Sequence, residues 1–239
     1  MKYGTLKAQT KLPTTDLIII PHKGEPLTVS PAFGPNTYNN NVEAMTRGEF
    51  YNSEQFSNIT FREPLTQESI SAAAFEFESR AKPQIFDTRW LQAGRIVRTQ
   101  DGVFTNTTET DENALKQLLD GATEVNGIYL INDDMAFAPY ESFKTGVQEG
   151  RKFAEGGLAR ALEHTEAKVA ESLEKIASKG FYPRGVNVWR FDGSKKPISR
   201  VASLSSVRFH VDWLNVDGYD WNDNYDGCAF GVRETGEAS

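Results

Sequence analysis

Leu158, Leu162, Thr165, Val169, Leu173 and Ile176 recur at intervals of four and three, the spacing of one apolar helical stripe. Gly180 stands where such a helix stops, so one long amphipathic helix is expected here. Glu163, Glu166, Lys168, Glu171, Glu174 and Lys175 fall on its other side and read as a solvated face. Residues 67–80 are alanine-rich, with Ile70, Ala73, Ala74 and Phe77 on one face, and predict a helix bounded by Pro83. Asp111 suits the N-cap of a shorter helix carrying Leu115, Leu118 and Leu119, with Gly121 as its stop. Elsewhere the pattern belongs to strands: residues 127–131, 186–191, 199–204 and 228–233 are apolar or alternating and bounded by turn residues. Leu17 to Ile20 reads as a short buried strand ended by Pro21, with further strands near residues 58–61 and at Ile96-Val97. Residues 36–41 read as a polar loop, no helical period shows before about Glu68, and residues 136–140 read as a turn into a helix. With no linker and no repeat, the simplest organisation is one α+β domain over 1–239, residues 1–34 being an N-terminal extension or the first strands.

Composition narrows the partners. The chain has 239 residues, 38% hydrophobic and 11% aromatic, enough for a real core. A formal charge of -7 leaves no basic excess for phosphates or for an anionic membrane surface, so neither nucleic acid nor membrane insertion is expected. The apolar run near the start is too short for a signal sequence or a span, which leaves the location open between virion, envelope and cytosol. Cys228 is the single cysteine, which excludes an intrachain disulfide framework and a multi-cysteine zinc site. Asn58-Ile59-Thr60 and Asn106-Thr107-Thr108 match the glycosylation sequon, a match of little weight without a secretory signal. No stripe beyond the helix face marks an oligomer contact, and a monomer is compatible with the pattern.

The stretch from Val207 to Arg233 stands apart. It holds Trp213, Trp221, Phe209, Tyr219, Tyr225 and five aspartates, and between Val207 and Cys228 it lacks Lys, Glu, Gln and Met. Tyr, Asn, Asp, His and Trp interleaved with Gly compose a recognition surface, giving rigid contact area and adaptable hydrogen bonds. A Gly/Asp/Asn-rich surface loop with a few buried anchors has the same composition.

Catalytic and metal motifs are weak. No phosphate-binding glycine loop appears, and His22, His164 and His210 are far apart in sequence. Cys228 and His210 lack an orienting third residue. Asp220 to Gly227 is rich in hard oxygen ligands, but read as a calcium-binding EF-hand loop it puts Arg233 where the terminal Glu belongs. Trp221-Asn222-Asp223 resembles the signature of calcium-dependent sugar-binding lectins, whose companion Glu-Pro-Asn or Gln-Pro-Asp is absent from residues 181–220. No cofactor, metal ligand or catalytic residue is assigned.

Three segments carry a broader resemblance: residues 185–192 (GVNVWRFD), residues 200–206 (RVASLSS), and the aromatic Asp/Asn/Gly-rich stretch ending in residues 227–232 (GCAFGV). They resemble the variable proteins of diversity-generating retroelements. Residues 68–74, 81–87, 89–97, 125–130 and 157–160 resemble the archaeal branch of that family, so the likeness spans roughly residues 35–233. It implies a C-type-lectin fold of short, mostly antiparallel strands and a few helices, used without calcium or catalysis to display a variable region at 207–228. Adenine-directed mutagenesis changes Asn codons there into many others, but not into those for Lys, Glu, Gln, Met or Trp. The missing residue types fit this, and Trp213 and Trp221 are then fixed framework. The implied ligand-contacting positions are Val207, Arg208, His210, Asp212, Asn215, Tyr219, Asn222, Asn224, Tyr225 and Cys228. Asp217-Gly218, Asp220-Trp221 and Gly227 are the implied turns and anchors. The expected partner is a protein or cell-surface ligand; the alternatives are a calcium-dependent lectin and, behind it, a relative of formylglycine-generating enzymes, whose paired cysteines this chain lacks.

Overall fold

The computed structural model of the protein describes residues 17–47, 59–79, 85–86, 90–178, 182–205, 212–218 and 227–233. Among these, a small antiparallel sheet runs in the order β1 (Ile18–His22), β2 (Glu25–Val29), β15 (Val232–Arg233), β4 (Phe61–Arg62). A larger sheet runs β10 (Gly146–Gln148), β11 (Val186–Trp189), β13 (Leu214–Asp217), β12 (Ile198–Ser205), β5 (Trp90–Arg98), β6 (Gly102–Thr105), β9 (Ala136–Pro139), β8 (Ile128–Leu130), β7 (Thr123–Val125). To it β14 (Gly227–Ala229) adds a bridge between β5 and β3 (Phe33–Asn36). Pairing is antiparallel except for β11 with β13 and β14 with β5.

Helix α2 (Thr66–Ser79) is the hub, packed against β1, β5 and the later helices. Ala72, Ala73 and Ala74 let neighbours approach its backbone, while Ile70 and Phe77 fill the core. Its buried acids are satisfied: Glu76 accepts from the backbone N–H of Ile85 (2.6 Å) and Phe86 (3.1 Å), and Glu68 pairs with Arg62. The helix holds as expected from the sequence, save that Arg80 lies outside the described residues. So do the strands at 128–130, 186–189 and 198–205. Asp111 caps α3 (Glu112–Asp120) by accepting from Asn113 and Ala114 N–H, with Gly121 as its C-cap.

Six expectations are corrected. The long helix is two short ones, α5 (Gly157–Glu163) and α6 (Glu171–Ile176). His164 closes α5 in the left-handed region (φ 49°), and the Glu163 carboxylate turns back to accept from the N–H of Ser172 and Leu173 at the start of α6. Glu163 is therefore not on a solvated face; burial pushes its carboxyl above the ordinary range, although those N–H groups oppose the shift. The Asn-rich loop is helix α1 (Tyr38–Arg47), whose Tyr38, Asn41 and Met45 point inward at helical spacing. Residues 136–139 form the buried strand β9, followed by a 3-10 turn at Tyr140–Ser142, and helix resumes only at α4 (Gly150–Glu155). Strand β1 runs through Pro21, because β1 is an edge strand and Pro21, which has no N–H to donate, pairs with Pro26, which has none either. The last strand is two, β14 and β15, in different sheets.

Candidate ligand-binding face

The stretch between β12 and β14 is not one loop. Leu214–Asp217 forms β13 inside the sheet, parallel to β11 and antiparallel to β12. Alternation sends Leu214 and Val216 into the core with Val186, Val188 and Leu204. It sends Asn215 and Asp217 to the other face, which carries two cross-strand rows. One row is Val147, Asn187, Asn215, Ser205 and Trp90; the next is Trp189, Asp217, Ser203 and Gln92. Trp90 Nε1 donates to Ser203 Oγ at 2.7 Å, and Asn187 Nδ2 donates to Asn215 Oδ1 at 3.1 Å. The face is closed at Ser203, Ser205 and Asp217 and open at Trp189 (50% exposed) and Val147 (56%). The Arg190 guanidinium lies 5.8 Å from the Trp189 ring centre.

The ends of the segment are held firmly. Where the chain re-enters at Asp212, Arg184 N–H donates to Asp212 O, Leu214 N–H donates to Gly185 O, and the Arg184 guanidinium stacks on Trp213 at 4.7 Å. Where it leaves at Gly218, a Cβ would come within 2.8 Å of the Phe191 ring, and Gly218 N–H donates to Trp189 O. Where it returns at Gly227, a Cβ would come within 2.6 Å of Gln92 Cδ. Gln92 is itself fixed: Asn41 Nδ2 donates to Gln92 Oε1 (2.7 Å) and to Gly227 O (3.0 Å), and Gln92 Nε2 donates to Asn36 O (3.3 Å). The polar residues of α1 thus bind the backbone at the segment's end, a role their composition alone does not reveal.

Of the ten expected contact positions, Asp212, Asn215 and Cys228 are described. Asp212 is exposed; Asn215 and Cys228 are half-buried, on β13 and β14. Asn215 lies between the buried Asn187 and Ser205 on the sheet's outer face; it makes a side-chain bond across strands rather than the turn cap that Asn also favours. Val207, Arg208, His210, Tyr219, Asn222, Asn224 and Tyr225 lie outside the described residues, as do Asp220-Trp221 and the acidic run around them. Asp217, Gly218 and Gly227 are buried, as anchors must be. Sequence reading missed Asn187, Trp189 and Val147 as neighbours of this face. The alternation Val186-Asn187-Val188-Trp189 was the available signal, since it puts a Trp opposite two core valines.

Other candidate chemistry resolves into structural roles. Among the described residues no group of His, Cys, Asp and Glu is arranged to hold a metal ion. His22 Nδ1 shares a hydrogen bond with Ser71 Oγ, burial lowering its pKa, and His164 Nε2 contacts Asn132 O. Asn106 of the second sequon has its amide fully used: it accepts from Thr66 N–H and donates to Gln67 Oε1 and Asp134 O. Asn58 of the first sequon lies outside the described residues.

No family model matches the chain, and no curated protein matches it. A solved structure from Nanoarchaeota does, one described as accommodating massive sequence variation by the C-type lectin fold. The superposition has a TM-score of 0.52 and covers 84% of this chain and 96% of that one, at 14% identity. The chain has a C-type-lectin fold. In this C-type-lectin fold the pinned segment from Ser205 to Gly227 contributes β13 to the middle of the larger sheet and leaves from both of its ends. At 14% identity the likeness carries the architecture alone. Among the described residues no helix is long and apolar enough to cross a membrane.

Proposed function

We propose that the protein is a non-catalytic ligand-binding protein, the variable protein of a diversity-generating retroelement, whose 207–228 segment is the diversified contact surface. The observation that carries this reading is the contrast along that segment. Its framework positions Leu214, Val216, Asp217, Gly218 and Gly227 are buried and pinned, whereas Asp212 is exposed and Asn215 and Cys228 are half-buried. A rigid sheet with replaceable side chains lets the surface change without refolding. The Nanoarchaeota neighbour supports the reading through its fold and through the sequence variation ascribed to it. The absence of Lys, Glu, Gln and Met between Val207 and Cys228 supports it independently.

The ligand is a protein or cell-surface structure. Arg208, His210, Tyr219 and Tyr225 supply the diversified anchors, and Trp189 supplies an undiversified one beside Asp217, since Trp, Tyr and Arg dominate binding hot spots. The test uses a partner recovered by panning the full chain against displayed surface proteins. Replacing Tyr219 and Tyr225 with Ala abolishes binding and leaves the melting temperature unchanged, and Trp189→Ala weakens binding by about tenfold or more. A large loss of stability in the Tyr double variant would place those residues in the core and refute the reading.

A further inference from the structure

A second polar site is built from residues outside the 207–228 segment. A cleft of about 260 Å³ is lined by Glu63, Pro64, Leu65, Arg95, Asn106, Thr107 and Thr108, none of which belongs to residues 207–228. Its centre is an ion pair with an uncommon geometry. Arg95 Nε donates to both oxygens of Glu63, at 3.1 and 3.0 Å. A side-on pair would occupy Nε and one terminal nitrogen; here both carboxylate oxygens sit on Nε, and Nη1 and Nη2 make no hydrogen bond to a described residue. The guanidinium is held in plane by stacking 4.9 Å over the buried Tyr38 ring, and the Tyr38 hydroxyl donates to Glu63 Oε2 at 3.0 Å. Burial and then the Glu63 charge keep the Tyr38 phenol well above its ordinary pKa, so it stays a donor.

Counting donors and acceptors decides what the cleft can take. Glu63 has about four lone-pair sites, and Arg95 Nε and Tyr38 already fill most of them. Arg95 keeps four N–H donors, all at its outer edge. Thr107 Oγ1 accepts from Glu109 N–H, which leaves its own O–H to donate. Thr108 is exposed at the rim with a further hydroxyl. Asn106 contributes a fixed wall, its amide fully engaged elsewhere. The cleft is therefore rich in donors, and the pair of Nη groups presents the fork that matches a planar acceptor with two oxygens. Pro64 and Leu65 add an apolar side for a short alkyl chain.

We infer that this cleft binds a small carboxylate, with its two oxygens on Arg95 Nη1 and Nη2, further donation from Thr107 and Thr108, and its alkyl part against Pro64 and Leu65. The site is independent of what residues 207–228 bind. It gives the scaffold a ligand position whose residues do not change when the display surface does.

The experiment is a two-dimensional amide NMR titration of the full chain with sodium propionate, against sodium chloride at matched ionic strength. The amides of Glu63, Leu65 and residues 106–108 shift saturably with propionate. In Arg95→Lys, which keeps a cation for Glu63 but loses the fork, the affinity falls about tenfold. In Thr108→Glu, at an exposed position that the fold does not need, the saturable shift is lost while the rest of the spectrum is unchanged. An absence of saturable shift, an unchanged affinity in Thr108→Glu, or saturation with inorganic phosphate but not with propionate would each overturn the assignment.

Discussion

Gly227 marks the point where the 207–228 segment rejoins the sheet, and adding one methyl there tests whether that junction is rigid. In Gly227→Ala the new Cβ would lie 2.6 Å from Gln92 Cδ and 2.8 Å from Gln92 Cγ, well inside van der Waals contact. Gln92 is 1% exposed and cannot swing into solvent. Moving it breaks its bond from Asn41 (2.7 Å), its bond to Asn36 O (3.3 Å), or both. Overpacking of this kind costs about 1–3 kcal/mol. Each lost buried hydrogen bond adds about 1 kcal/mol. The expected destabilisation is about 2–4 kcal/mol, a fall in Tm of roughly 5–15 °C for a chain of this size. Urea unfolding followed by circular dichroism measures it, with the slope unchanged if only the native state is affected. The double variant Gly227→Ala with Gln92→Ala removes the clash. Its loss should be smaller than the sum of the two single losses by about 1 kcal/mol or more. A Gly227→Ala loss below about 1 kcal/mol, or simple additivity, would show that the junction yields and that Gly227 is not an anchor.

Three further outcomes follow from the same geometry. Because burial raises the Glu163 carboxyl in the fold, the fold favours its protonated form; that contribution is full below the ordinary carboxylate range and is lost as pH rises through the raised value. Urea midpoints across that range should show a step in the native chain that is missing in Glu163→Gln. Asn187→Ala and Asn215→Ala should couple by about 0.5–1 kcal/mol in a double-mutant cycle, because Asn187 is buried and Asn215 is its acceptor; no coupling would mean that Asn215 stands free of the sheet. Calorimetric titration with calcium should give no heat and no thermal shift; a clear transition would move the protein to the calcium-dependent lectin reading.

The residues explain which elements were legible in the sequence. Asp111 caps α3 with its own side chain, and the β-branched runs of β8, β11 and β12 pair as their alternation predicts, so local signal and tertiary outcome agree. Helix α1 was hidden because its inward Asn41 exists to bind Gln92 and Gly227, partners 51 and 186 residues away. The break between α5 and α6 was hidden because the apolar spacing runs straight through it, while the deciding event is the return of Glu163 to the start of α6. Strand β13 is four residues long, and its two core positions gain meaning only between β11 and β12. The candidate site divides in the same way. The composition of residues 207–228 singled out the segment, but the anchors at Gly218 and Gly227 rest on Phe191 and Gln92, which no local pattern connects to them.

Sequencing of the locus and of sister isolates across codons 200–235 tests the central claim most directly. The account predicts differences at the codons for Val207, Arg208, His210, Asp212, Asn215, Tyr219, Asn222, Asn224, Tyr225 and Cys228. Each should lie opposite an adenine in a nearby template repeat beside a reverse-transcriptase gene. The codons for Leu214, Val216, Asp217, Gly218 and Gly227 should be constant. Invariant codons throughout, with no template repeat, would contradict it and leave the C-type-lectin scaffold with a fixed ligand.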